Sequence, residues 1–423
     1  MTSADARAAS TATTIAISVT ACAFVLAALP FFLVGGLAVQ IRADLDLSAA
    51  QIGSAVSAAF LVAAVSGPLG GRVADRIGPR RALVLGAAVS TFSLTGIATA
   101  AQGWPTLLTF LVIGGLAVAL TDPGLAVLIN RAVVPRLHGL AFGIKESAVP
   151  VASLIAGVTV PAIAVTLGWR WAFGVGLAFL VALAMLLPRV RTDLSGAHPQ
   201  PTPRVAHETS GDTDAASSPS PATLVLIAVA ASFGMTAAGG ISVFLTQSAV
   251  AMGRSPSTAG VLLAVGSVAG VATRIVMGVV ADRSGREQFG IIAMMLTLGA
   301  AAMLVGASGA PVLLTIGTLG VFSAGWGWSG LLLLSLVRAL PHAPGRAGGV
   351  AVAGLASGTA FGPVVFGIVA ETFSYARAWQ MSAALTLVAA ALMWGASRAM
   401  APTRPRSRSA HPRSKRMWSA IPS

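Results

Sequence analysis

Residues Gly71–Arg81 read GRVADRIGPRR, five charges in eleven residues at the end of a long apolar run. A second copy, GVVADRSGRE, occupies Gly278–Glu287. Asp282 lies 207 residues after Asp75, and Gly278 lies 207 after Gly71. Arg131 and Arg338 repeat the 207-residue spacing, and Trp171 and Trp379 stand 208 apart. A spacing near half of a 423-residue chain implies two similar halves, each with the charged turn at the same place. Gly71 and Gly278 permit close backbone approach at the ends of helix-like runs. Gly78 and Gly285 suit a tight turn or a helix C-terminus. The carboxylates of Asp75 and Asp282 are placed to accept hydrogen bonds or to face the positive N-terminus of another helix. Arg76, Arg80, Arg81, Arg283 and Arg286 suit a lipid headgroup layer.

The rest of the chain says what those turns connect. Hydrophobic residues make up 56 % of the sequence, charged residues 9 %, and the mean hydropathy is +0.85. Soluble domains carry about 25 % charge, so this is an integral membrane protein. A span needs about 20 apolar residues. On that ruler twelve are read, at 15–39, 49–72, 81–102, 105–130, 139–167, 170–187, 222–249, 257–281, 288–307, 311–337, 347–371 and 376–397. The first run is too long for a signal-peptide core and is kept as a span. The expected division is a tail 1–14, a six-helix bundle 15–187, a linker 188–221 rich in Pro, Ser, Asp and Thr, a second bundle 222–397, and a basic tail 398–423. Linker and tails lack an apolar period and are expected to be unstructured.

The net charge of +14 would point to nucleic acid in a soluble protein, but here its distribution excludes that reading. Twenty-one of the 27 Lys and Arg fall on one set of tails and alternate loops, and only Arg42, Arg170, Arg254 and Arg377 on the other. By the positive-inside rule both termini are cytoplasmic. A single cysteine, Cys22, excludes an internal disulfide and a multi-cysteine metal site. No metal site, cofactor motif, phosphate-binding loop or Ser-His-Asp set is evident, so an enzyme is not expected.

GxxxDRxGxRR between the second and third spans resembles the signature of the major facilitator superfamily, and the second copy matches it more loosely. The resemblance covers nearly the whole chain. It implies an all-α fold of twelve spans in two pseudo-symmetric six-helix bundles, with a substrate site between them near mid-membrane. It implies that Asp75 caps the start of span 11, and Asp282 that of span 5, when the cytoplasmic side closes. The family often has an arginine in span 4, four residues before a glycine. Phe110 stands there, before Gly114, so the proton-coupling role tied to that arginine is in doubt.

Charges inside spans are costly and mark candidate functional sites. Asp122, Lys145, Glu146 and Arg274 qualify, all roughly 9–14 Å from the cytoplasmic boundary at about 1.5 Å per residue. Spans 5 and 8 pack together in the family, so Glu146 or Asp122 is expected to pair with Lys145 or Arg274 and to exchange partners between access states. The plainer alternative is a permanent buried ion pair. Arg131 and Arg338, at helix ends, bond the neighbouring charged loops or only lipid phosphates. Spans 1, 4, 7 and 10 line the cavity in the family, which nominates Phe31, Phe32, Asn130, Phe233, Gln247, Trp326 and Trp328. Aromatics beside two buried cations suit an aromatic or branched organic acid.

The expected function is secondary transport of a small organic anion with a proton, by a monomer in the cell membrane working by alternating access. Proton-driven efflux of an amphipathic drug or metabolite is the alternative. A membrane sensor that keeps the fold but moves nothing is the alternative of another class.

Overall fold

The computed structural model describes residues 3–133, 138–190, 219–284, 288–340 and 344–400. Twelve of its helices are long and apolar enough to cross a membrane. Spans 1 to 6 are Ala12–Gly36, Ala49–Ile77, Pro79–Ala100, Trp104–Ala132, Ala141–Ala164 and Trp169–Arg189. Spans 7 to 12 are Pro221–Ala251, Pro256–Ala281, Phe289–Gly306, Pro311–Ala339, Gly348–Thr372 and Tyr375–Met400. Most of the expected linker, 191–218, and the tail 401–423 lie outside the described residues. One boundary moves substantially. The first helix begins at Ser3, inside the stretch expected as an unstructured tail. That segment, ADARAASTATT, is rich in alanine, the best helix former, and its polar residues do not stop the helix.

Local sequence explains the turns. The Ser48 hydroxyl accepts the Gln51 N–H at 3.1 Å, and the Gln51 side chain accepts the Ser48 N–H at 2.8 Å, a reciprocal cap that starts span 2. Span 2 ends at Gly78, whose φ of 83° and ψ of 156° belong to a region essentially reserved for glycine. The Gly78 N–H donates to the Ala74 carbonyl at 3.0 Å. Pro79 then opens span 3, where its missing N–H costs nothing.

Two spans carry a π-helical turn. Span 5 ends in a π-helical turn at Val160–Ala164, and span 10 carries another at Val321–Gly325. A π turn inserts a residue and rotates everything after it by about 100° relative to an unbroken helix.

Spans 1–6 and 7–12 form two bundles that meet chiefly along spans 2 and 11 and spans 5 and 8. The seam is tight because glycine allows it. A Cβ on Gly53 would stand 2.3 Å from the Pro363 carbonyl oxygen, and one on Gly157 2.6 Å from that of Gly260. The Ser57 hydroxyl accepts the Val364 N–H at 3.0 Å, and Ser267 donates to Ser153 at 3.0 Å. All of these contacts lie in the part of the seam away from the charged turns. Toward the charged turns the bundles part. In span 8, eight of the twelve residues from Ala259 to Gly270 are buried, but none from Val271 to Val280 is. That helix end keeps only a half-buried stripe, at Val271, Thr273, Arg274 and Met277, so the cleft between the bundles opens at the charged-turn end.

Candidate functional site

The intramembrane charges gather where the tight seam gives way to the cleft. Lys145 of span 5 is 8 % exposed. Its Nζ lies 2.6 Å from Asp122 Oδ1 of span 4 and 3.1 Å from Glu146 Oε1. Consecutive helical residues diverge by about 100°, and the long lysine stem closes that gap. The rings of Phe24 and Phe142, 5.3 and 6.0 Å from Nζ, enclose it further. The lysine is therefore neutralised twice, wholly within the first bundle.

Arg274 reaches the same place from the second bundle. Its Nη1 points to the Glu146 carbonyl oxygen at 3.4 Å, and its Nη2 donates to the Ser329 hydroxyl at 3.2 Å. The guanidinium lies 5.3 Å from the Trp326 ring centroid. Among the described residues Arg274 forms no ion pair, and its buried Nε has no hydrogen-bond partner. Of the pairings open to these charges, the structure gives both acids to Lys145; Arg274 hydrogen-bonds only neutral oxygens and feels the Glu146 carboxylate from beyond ion-pair distance.

Trp326 stands beside Arg274 because of the π turn before it and the glycine after it. A Cβ on Gly327 would approach Thr273 Cγ2 to 2.9 Å, so the glycine lets span 10 close on span 8 next to Arg274. Phe32 of span 1 meets Trp326 across the seam at 6.1 Å between centroids, and Phe322 packs edge-on at 5.6 Å. The other cavity candidates go elsewhere. Phe31 packs on Phe60 at 5.0 Å inside the first bundle. Trp328 is fully buried in the second bundle, its indole N–H donating to the Gly325 carbonyl at 2.7 Å. Phe233 packs against the core of that bundle, and Asn130 is exposed at the charged-turn end of span 4.

Gln247 belongs to a second polar centre, at the end of the seam away from the charged turns. Arg42, in the short helix Ala38–Leu45 after span 1, donates from Nη1 to Gln247 Oε1 at 2.8 Å and to the Tyr375 hydroxyl at 2.9 Å. Tyr375 donates in turn to Gln247 Oε1 at 2.9 Å. Nearby, the Ala50 N–H of the first bundle donates to Glu371 Oε2 of the second at 2.9 Å. Together these bonds clasp the two bundles. Sequence reading took Arg42 as a plain loop charge and passed over Tyr375. The available signal was a glutamine near the end of an apolar span and the chain's single tyrosine at the start of another. Beside the clasp, Arg170 at the start of span 6 hydrogen-bonds the carboxylate of Asp44, which lies outside the spans, and holds it below the usual carboxylate range. The Trp169 indole adds a bond at 3.2 Å.

At the charged-turn end, Asp75, Arg76, Arg80 and Arg81 are exposed and make no hydrogen bond or ion pair among the described residues. Gly71 and Gly278 are not crowded. A Cβ on the first would lie 3.8 Å from Pro123, and one on the second would meet nothing within 4 Å. The close approach expected of them is absent because the bundles are apart at this end. Arg131 is exposed. Arg338 donates to the Ala281 carbonyl at 2.9 Å, at the end of span 8. The side chains of Asp282 and Arg283, and Gly285 and Arg286 entirely, lie outside the described residues. Among the described residues no three His, Cys, Asp or Glu side chains gather as a metal site.

A profile of the Major Facilitator Superfamily matches residues 20–350 and 224–421. The chain is 25 % identical over 252 residues to an MFS-type transporter of Aspergillus fumigatus, covering 56 % of this chain and 58 % of that protein. It is 31 % identical over 140 residues to the 3-(3-hydroxy-phenyl)propionate transporter of Escherichia coli K12, covering 33 % of this chain and 34 % of that one. These matches thus span little more than half and about one third of the relatives' own lengths. Among solved structures, a bacterial homologue of the human lysosomal transporter Spinster superposes with a TM-score of 0.70 at 16 % identity, over 92 % of this chain and 98 % of that one.

Proposed function

Because the chain belongs to the major facilitator superfamily, we propose that it is a secondary transporter moving a small organic anion with a proton by alternating access. One observation carries the substrate class. At the junction of seam and cleft Lys145 is saturated by two carboxylates, while Arg274 has no ion pair among the described residues. A half-buried guanidinium with no ion pair among the described residues favours an anion, and Phe32 and Trp326 beside it favour one with an apolar or aromatic body. The partial match to a transporter of a phenylpropionate supports the same class.

Arg274 binds the substrate carboxylate in this reading, and the Asp122–Lys145–Glu146 group carries the proton. A proton on either acid weakens its hold on the lysine, which ties protonation to movement of the first bundle. The charged turns face the cytoplasm, with both termini on that side of the cell membrane. When that side closes, Asp75 caps the start of span 11. The clasp at Arg42 is the closed outer gate, and a monomer suffices for the cycle.

The test is a thermal-shift panel of small acids and amphipathic cations on purified protein, followed by uptake of any hit into liposomes with an imposed pH gradient. Acid hits whose uptake collapses in Arg274→Ala support the reading. Full uptake by folded Arg274→Ala refutes it, and hits confined to cationic drugs replace it with efflux.

A further inference from the structure

We infer that the indole N–H of Trp326 selects the substrate, so that the site takes a carboxylate carrying a hydroxyl or oxo oxygen on the neighbouring carbon. The inference rests on the reading of Arg274 as the carboxylate ligand and adds a second contact to it. Trp326 is 3 % exposed, and its Nε1 has no hydrogen-bond partner among the described residues. A buried donor without an acceptor is costly, and native structures rarely keep one without a reason. Three other indoles among the described residues show the usual solution. Trp328, Trp104 and Trp169 donate to the Gly325 carbonyl, the Gln51 carbonyl and Asp44, at 2.7, 3.0 and 3.2 Å. Trp379 also lacks an acceptor, but it is packed on Gly306 inside the second bundle, away from the charged cluster.

Trp326 is different because a second unpartnered donor stands against it. The Arg274 guanidinium lies 5.3 Å from its ring centroid, with Nε also buried and unpartnered. Both groups only donate. A carboxylate alone satisfies the arginine; an oxygen one carbon away lets the same ligand reach the indole. The remaining walls, Phe32 and Phe322, offer ring surface and no competing acceptor side chain. Phe32 comes from the first bundle and the rest from the second, so rocking of the bundles covers and uncovers the indole as it moves the ligand.

Because the indole donates and cannot accept, the rule can be tested without mutation. Binding of four probes to the full-length protein in lipid nanodiscs is measured by calorimetry: mandelate, phenylglyoxylate, phenylacetate and 2-phenylglycine. The first two offer an acceptor beside the carboxylate, the third has none, and the fourth carries an ammonium that only donates. We expect mandelate and phenylglyoxylate to bind about 5- to 10-fold tighter than phenylacetate, the worth of one buried hydrogen bond, and 2-phenylglycine to bind weakest. In Trp326→Phe, which keeps a ring and removes the N–H, the first three should become equal. Equal affinities of mandelate and phenylacetate for the wild type, with both lost in Arg274→Ala, overturn the role of Trp326 and leave Arg274 standing. A preference that persists in Trp326→Phe does the same. If none of the four probes binds, the Arg274 reading falls and this one with it. If Trp326→Phe does not fold, the wild-type series alone decides.

Discussion

Arg42→Met should open the clasped end of the molecule. The substitution keeps the apolar stem of the side chain and removes its two bonds across the seam, to Gln247 at 2.8 Å and Tyr375 at 2.9 Å. A hydrogen bond to a charged group contributes about 1.5–3 kcal/mol. Both bonds leave the same nitrogen and Arg42 is only part-buried, so the lower figure applies to each, or about 3 kcal/mol for the pair. That shifts the closed-to-open equilibrium of this end by about 100-fold. The reporter is Val243→Cys in a Cys22→Ser background. Val243 is 3 % exposed, and its Cγ1 lies 3.3 Å from where a Cβ on Gly35 would stand, so the thiol sits inside the seam just behind the clasp. Cysteine is smaller than valine and does not prop the seam open. The assay is the rate of maleimide labelling in nanodiscs. Labelling should speed by about 100-fold in Arg42→Met and by less in Tyr375→Phe, which loses one bond across the seam. A folded Arg42→Met protein labelled at the wild-type rate would show that glycine packing alone closes this end, and the reasoning from the clasp would be wrong.

Three further outcomes are expected. Gly78→Ala forces an L-residue to φ 83° and ψ 156°, so it should lower stability by about 1–3 kcal/mol in chemical unfolding, and an unchanged midpoint would contradict the turn geometry. Asp122→Asn alone should cost less than the double variant Asp122→Asn/Glu146→Gln, which strands Lys145 as a buried charge at a cost of about 3–5 kcal/mol; adding Lys145→Met should restore most of the loss, and strict additivity would argue against a shared neutralising pair. The Asp44 carboxyl titrates below its unfolded value, so its bond to Arg170 stabilises the fold fully above the ordinary carboxylate pKa and is lost as pH falls through the lowered one. Asp44→Asn should therefore narrow the fall in melting temperature between pH 6 and pH 3, by a small amount because the pair is largely exposed.

The residues at Trp326 and Trp328 show how far sequence carries. Both were candidates for the cavity wall, yet positions two apart on a helix diverge by about 200°. The choice between them depends on the π turn at Val321–Gly325, which shifts the helical phase and which no hydropathy pattern announces. Gln247 stood in a cavity-lining span and joined the clasp instead, because Arg42 and Tyr375, 205 residues before it and 128 after it, come together only when the bundles dock.

Sequence by itself determined the twelve spans, the duplication and the glycine turn at Gly78. Each of these follows from hydropathy, spacing or backbone freedom within a few neighbouring residues, and such local terms survive whatever the helices later touch. Tertiary structure alone decided that Lys145 takes both acids, that Arg274 lies over the Trp326 ring with a donor of each left unpartnered among the described residues, and that the molecule is clasped at one end and parted at the other. Those facts depend on how each helix is rotated about its axis and on which helix of the opposite bundle it meets, and neither is encoded in any single span.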